Sequence, residues 1–255
     1  ALRTARSTGR LNLSDCSLAS FPPAMFDLRN HIEIDLSMDS SSNPGAWQSY
    51  GEEEVTVLDL SDNPLSPHFN GVDERFEKFV SLKTLRMKRC NLVGLSWHSA
   101  VSKFDNLLVL DVSGNDLTEA NLEYLPTMVR EIDLSSNRIT RLTEAKGDGN
   151  DGPVIVLPYL VRLDVSNNQL REFPSFEVPG LQTLCFANNQ IEEIPGELID
   201  QGSSSLSTLE GSHNKLKRVP DNLFDCQRLT VVDLSDNALV DTPAVNPKVI
   251  RLNLN

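Results

Sequence analysis

A chain of 255 residues with 39% hydrophobic residues has the length of one large domain or two small ones. Its 36 acidic against 23 basic residues give a formal net charge of −13, which argues against a nucleic-acid partner held by phosphate contacts. Aromatic residues are only 6%, against stacking on single-stranded bases, and no run of 18 apolar residues predicts a membrane span.

Internal repeats decide the fold. The strings LDLSDN (58–63), LDVSGN (110–115), IDLSSN (132–137), LDVSNN (163–168) and VDLSDN (232–237) recur, within the longer pattern L-x-x-L-x-L-x-x-N-x-L. In chain order the position of its Asn is filled by Cys16, Asp39, Asn63, Cys90, Asn115, Asn137, Asn168, Asn189, Asn214 and Asn237, on average about 25 residues apart. Each unit predicts a short strand whose L-x-L leucines point inward while the intervening residues point outward. One unit cannot bury its own apolar face, so the units stack.

The first strand is expected around Leu11. The second unit, with Asp39 at the Asn position, reads as irregular but still as a strand bearing Asp35. Residues 40–54 form a polar loop excursion with Asn43-Pro44-Gly45. Trp47 and Tyr50 in it are either anchors on the solenoid or exposed contact residues. Phe76, Phe79 and Val80 fall at helical spacing, so Val72–Leu82 predicts a helix, and Thr118 is placed to cap a short helix through Leu125. Residues 145–153 read as a flexible loop, and its Asp148 and Asn150 form an incomplete calcium-ligand set, with Tyr159 where Glu is needed. An eleventh strand starts at Val249. The chain opens at Ala1 with no charged-then-apolar leader, as a trimmed piece of something longer would.

Outward strand residues line up as columns across the stack. The column between the two leucines reads Asn12, Asp35, Asp59, Arg86, Asp111, Asp133, Asp164, Cys185, Glu210, Asp233 and Asn253, seven of which are acidic. The next outward column is mostly Ser, from Ser14 to Ser235. The fourth unit departs with Arg86, Lys88 and Arg89. Two readings stand: Arg86 neutralises Asp59 and Asp111 across the ladder, or the surface is a binding face. The second assigns the partner contacts to Asp59, Arg86, Lys88, Arg89, Asp111, Asp133, Asp164, Glu210 and Asp233, and expects Ser61, Asp133 and Asp233 to face solvent.

The ten-fold pattern resembles the leucine-rich-repeat proteins over nearly the whole chain. The resemblance implies an α/β solenoid, a curved horseshoe with a parallel concave sheet and an irregular or short-helical convex side, as one domain over 1–255. Phe21-Pro22, Phe173-Pro174, Ile194-Pro195 and Val219-Pro220 match the intracellular variant of the family. Ala5-Arg6-Ser7-Thr8-Gly9-Arg10-Leu11-Asn12-Leu13-Ser14 is similar to the start of the repeats in an intracellular branch. Cys at the Asn position is a familiar substitution there.

A P-loop, G-x-S-x-G and H-E-x-x-H are all missing from the sequence, and Cys185 with His213 and Glu210 lacks the enclosed pocket a thiol nucleophile needs. No catalytic residue, metal or cofactor is therefore expected. Cys16, Cys90, Cys185 and Cys226 are too scattered for a disulfide framework or a zinc site, and Asn12-Leu13-Ser14 is the one glycosylation sequon. Together these predict four free thiols and a cytoplasmic setting. The expected function is a non-catalytic scaffold or regulatory adaptor binding a protein partner with a basic surface. The alternatives are the recognition part of a receptor or immune sensor, or the targeting domain of a larger enzyme.

Overall fold

The computed structural model describes residues 5, 7–26, 54–65, 74–95, 101–143, 154–202, 205–240 and 251–253. In chain order its strands are β1 (Arg10–Asn12), β2 (Val57–Asp59), β3 (Thr84–Arg86), β4 (Val109–Asp111), β5 (Glu131–Asp133), β6 (Ile155–Val156), β7 (Arg162–Asp164), β8 (Phe176–Glu177), β9 (Thr183–Cys185), β10 (Thr208–Glu210), β11 (Val231–Asp233) and β12 (Arg251–Asn253). Ten of them build one sheet in the order β1-β2-β3-β4-β5-β7-β9-β10-β11-β12, and every pair is parallel.

Register follows the repeat. Leu11, Leu58, Leu85, Leu110, Ile132, Leu163, Leu184, Leu209 and Val232 stand opposite one another down the sheet. All are buried in one cluster that runs from Ala5 to Leu234. Each contributes on the order of 1.5–3 kcal/mol by leaving water, and it does so only because a neighbouring repeat covers it.

The repeat Asn carries the second stabilising ladder. Asn115 donates from Nδ2 to the carbonyls of Met87 and Val112, both at 2.8 Å, and its Oδ1 accepts the N–H groups of Cys90 at 2.8 Å and Leu92 at 3.0 Å. Asn63 does the same for Leu13, Leu60, Cys16 and Leu18. One side chain thus satisfies backbone groups of two adjacent turns. Cys90 keeps part of this role, its thiol donating to the Leu60 carbonyl at 3.1 Å. Burial pushes that thiol up to about 11. All four cysteines are free.

The first and third repeats are neighbours in the sheet. β1 pairs directly with β2, Leu11 opposite Leu58, and the amide of Asn63 reaches straight to Leu13. On the convex side, Phe21 and Phe26 meet Phe76 edge-on, with centroids 4.8 and 5.3 Å apart, joining the same two repeats. Asp35, Asp39, Trp47 and Tyr50, and the 145–153 loop, lie outside the described residues; of the 40–54 loop only Glu54 is described.

Among the described residues the convex side is built mainly from 3-10 turns, at Pro23–Phe26, Glu74–Lys78, Val101–Lys103, Leu122–Tyr124 and Asp221–Asp225, and one α-helix, α1 (Gly196–Gly202). The helix expected over 72–82 is the short turn Glu74–Lys78; Phe76 and Phe79 are buried, but Val80 is exposed. The cap expected at Thr118 is also corrected: the turn starts at Leu122, with Asn121 before it making no side-chain cap bond. A 3-10 turn rises about 2.0 Å per residue against 1.5 Å for an α-helix, so it bridges a repeat with fewer residues. β6 and β8 form a second, two-stranded sheet, Ile155 opposite Phe176, where the repeat pattern predicts irregular return chain.

Candidate binding face on the large parallel sheet

The sheet brings Asp59, Arg86, Asp111, Asp133, Asp164, Cys185, Glu210 and Asp233 into one continuous column, each residue the register partner of the next. Asn12 and Asn253 close it at either end. Lys88 lies in the neighbouring column after Met87. Arg89 does not join them. It sits in the turn beyond the strand, with φ of 50°, and its guanidinium grips Asp62 at 2.6 and 2.9 Å.

The acids face the concave side less freely than their pattern suggests. Asp111 Oδ1 accepts the Ser113 N–H at 3.1 Å and its hydroxyl at 2.7 Å. Asp133 does this for Ser135 at 3.0 and 2.6 Å, Asp164 for Ser166 at 3.1 and 2.6 Å, and Asp233 for Ser235 at 3.2 and 2.7 Å. Asp59 accepts the Ser61 N–H at 3.0 Å, and the Ser61 hydroxyl accepts the Lys88 N–H at 3.3 Å. The Asp-x-Ser spacing is the signal that sequence reading passed over: a short acceptor side chain binds its own backbone two residues on. Ser61, Ser113 and Ser235 are buried, against the expectation that Ser61 faces solvent, while Ser135, Ser166, Asp133 and Asp233 are half-buried. Asp164 is buried, bound also by Arg162 at 2.8 Å along the same strand face.

Asn12 shows what this turn requires. Its Oδ1 accepts the Ser14 N–H at 2.9 Å and hydroxyl at 2.7 Å, the same bonds without a charge. The acceptor oxygen is structural, and the negative charge at 59, 111, 133, 164 and 233 exceeds what the fold uses. Burial holds the Asp133 carboxyl above the usual range, and the charges of Asp164 and Asp111 add to this while Ser135 opposes it. A carboxyl raised on folding favours the folded state below its unfolded pKa, near 3.9, and that contribution is lost as pH rises through the raised value. Asp133→Asn keeps the acceptor. Its melting temperature is expected to match wild type below about pH 4 and to exceed it at pH 7. Asp133→Ala orphans the Ser135 groups and is expected to lose about 1 kcal/mol at both. Melting scans at the two pH values check both; an Asn variant less stable at pH 7 contradicts the argument.

Few basic residues offset the face. Six surface pairs, Asp62–Arg89, Glu77–Lys103, Asp116–Arg138, Glu119–Arg141, Glu192–Lys217 and Glu193–Arg218, each join an acid of one repeat to a base of the next. Such exposed pairs add little stability, but they occupy these cations away from the sheet. Cys185, in the column, donates weakly to Glu210 at 3.5 Å, and burial with the Asp164 and Glu210 charges pushes its thiol up to about 12. At neutral pH a thiolate nucleophile is then scarce, and His213 faces Asp236 at 3.4 Å instead. Among the described residues no group of three or more His, Cys, Asp or Glu could hold a metal ion, and no helix is long and apolar enough to cross a membrane.

No family model matches the chain. It is 36% identical to lumican of Coturnix japonica over 165 residues, covering 57% of this chain and 48% of that protein. Lumican of Oryctolagus cuniculus is 32% identical over 163 residues, with 84% of its length covered. The chain belongs to the leucine-rich-repeat proteins. This leucine-rich-repeat chain spans about half the length of the first relative and 18% of human Toll-like receptor 6, to which it is 28% identical over 178 residues. Among solved structures, a leucine-rich-repeat protein of Leptospira interrogans superposes over 100% of this chain and 62% of its own with a TM-score of 0.62 at 19% identity, a likeness of fold. The ectodomain of the Arabidopsis receptor kinase HAESA, solved with a peptide hormone, superposes over 72% of this chain and 30% of its own with a TM-score of 0.57 at 28% identity.

Proposed function

We propose that this leucine-rich-repeat chain is a non-catalytic scaffold or regulatory adaptor that holds a protein partner with a basic surface against its concave sheet. The observation that carries the reading is the surplus charge: Asn12 makes the structural turn without a carboxylate, yet five other turns use one. The contacts proposed are Asp59, Asp111, Asp133, Asp164, Glu210 and Asp233, with Arg86 and Lys88 as a local mark. Arg89, paired with Asp62, serves at the edge only. A basic partner is steered to such a face, with an on-rate that falls as salt rises. A cytoplasmic setting is part of the proposal and is supported by four free thiols.

The reading is supported by Arg86, which stands in register between Asp59 and Asp111 and, among the described residues, forms an ion pair with neither. Arg86→Glu is therefore expected to weaken binding on the order of tenfold, about 1.4 kcal/mol, with little change in melting temperature. Ser113→Ala acts on stability instead, since Ser113 is buried and bonded to Asp111. The test is a pull-down from a cytosolic fraction, followed by affinity of the captured protein for each variant at two salt concentrations. Loss of stability without loss of affinity, salt-independent binding, or capture only from a secretory fraction sinks the corresponding part.

A second reading, ligand recognition within a larger receptor or targeting within a larger enzyme, is favoured by the likeness to Toll-like receptor 6 and the HAESA ectodomain. The full open reading frame separates it from the first: a membrane-spanning, nucleotide-binding or catalytic segment would favour it.

A further inference from the structure

β3 is the one strand of the acidic column whose Asp and Ser are both replaced by cations. Arg86 and Lys88 are half-buried on the sheet. Each is one strand away from Asp59, Ser61, Asp111 and Ser113, whose carboxylates are turned onto their own serines at 59–61 and 111–113. The adjacent cation, Arg89, is already occupied by Asp62. Among the described residues, two cations without a carboxylate partner therefore stand in a row of anions.

We propose that Arg86 and Lys88 receive one anionic side chain of the partner, and that the carboxylates on either side require cations next to it, so that the face selects a cation–anion–cation order. This rests on the basic-partner reading above. The planar fork of Arg86 suits a carboxylate gripped at two points, and a cation placed at β3 instead meets like charge. The occupant is a helix lying across the strands. Groups facing successive strands must be about 4.8 Å apart. Helix positions i, i+3, i+7 and i+10 share one face and span about 15 Å, against about 14 Å for three strand spacings. An extended segment puts same-side residues about 6.6–6.8 Å apart and falls out of register within two strands.

The experiment uses two alanine-based helical peptides. One carries Lys-x-x-Glu-x-x-x-Lys-x-x-Lys, placing cations at β2, β4 and β5 and the anion at β3; the other carries Lys at all four positions. Their affinities are measured by fluorescence anisotropy for wild type, for Arg86→Gln, and for the double variant Arg86→Asp with Lys88→Ser. The double variant gives β3 the Asp-x-Ser turn of its neighbours, so its fold is supported, and a melting scan verifies it. Wild type is expected to bind the Glu-bearing peptide roughly tenfold more tightly, a difference of about 1.4 kcal/mol. Arg86→Gln is expected to erase most of that preference and the double variant to reverse it. The same ranking on all three proteins, with salt-dependent binding retained, overturns the charge order and leaves the acidic-face reading intact. No salt-dependent binding of either peptide to wild type overturns both.

Discussion

Gly211→Ala is expected to cost more stability than any surface change on this molecule. Gly211 occupies the second inward position of β10's repeat, where neighbours carry Leu60, Leu134 and Leu234. A Cβ added there would lie 2.1, 2.5 and 2.8 Å from the ring of Phe186, which is fully buried in the preceding repeat. The glycine answers a need for room, since its backbone is outside the left-handed region. Phe186 is larger than the usual Leu and fills the volume its neighbour gives up. Overpacking of this kind costs about 1–3 kcal/mol or more, which in a chain of this length lowers the melting temperature by roughly 2–4 °C per kcal/mol. Phe186→Leu alone opens a void and destabilises as well. The double variant Phe186→Leu with Gly211→Leu restores the repeat at both positions and is expected to melt near wild type. Thermal unfolding of the single Leu variants and the double decides it: additive losses would refute the compensation.

Asn115→Ala is the second large effect expected. The change strands two N–H groups, of Cys90 and Leu92, and the carbonyl of Met87 in a buried site, while the Val112 carbonyl keeps the amide of Asn137. Each orphaned group costs about 1–3 kcal/mol, so a loss of about 3 kcal/mol or more follows. Because a solenoid is held by contacts between neighbours, hydrogen exchange should rise first in the turns after β3 and β4. Cys90→Asn, which restores the commoner residue of the ladder, is expected to leave stability within about 1 kcal/mol of wild type. A melting curve for Asn115→Ala superimposable on wild type would remove the ladder from the account of this fold.

The parallel sheet, its register and its buried leucines were legible in the sequence, because a strand alternates inside and outside with period two and each repeat restates that pattern. The column of acids was legible for the same reason. Tertiary structure decided the rest. The Asp-x-Ser turns and the burial of Ser61, Ser113 and Ser235 depend on backbone that curls after each strand, and spacing alone gives no direction for a side chain. The role of Arg89 turned on a left-handed residue that points it at Asp62. The pairing of β1 with β2, and the exchange of volume between Phe186 and Gly211, lie between residues 20 or more positions apart. Local pattern names the repeat; only packing against a particular neighbour fixes which repeats touch, how much room each side chain has, and which charges are left for a partner.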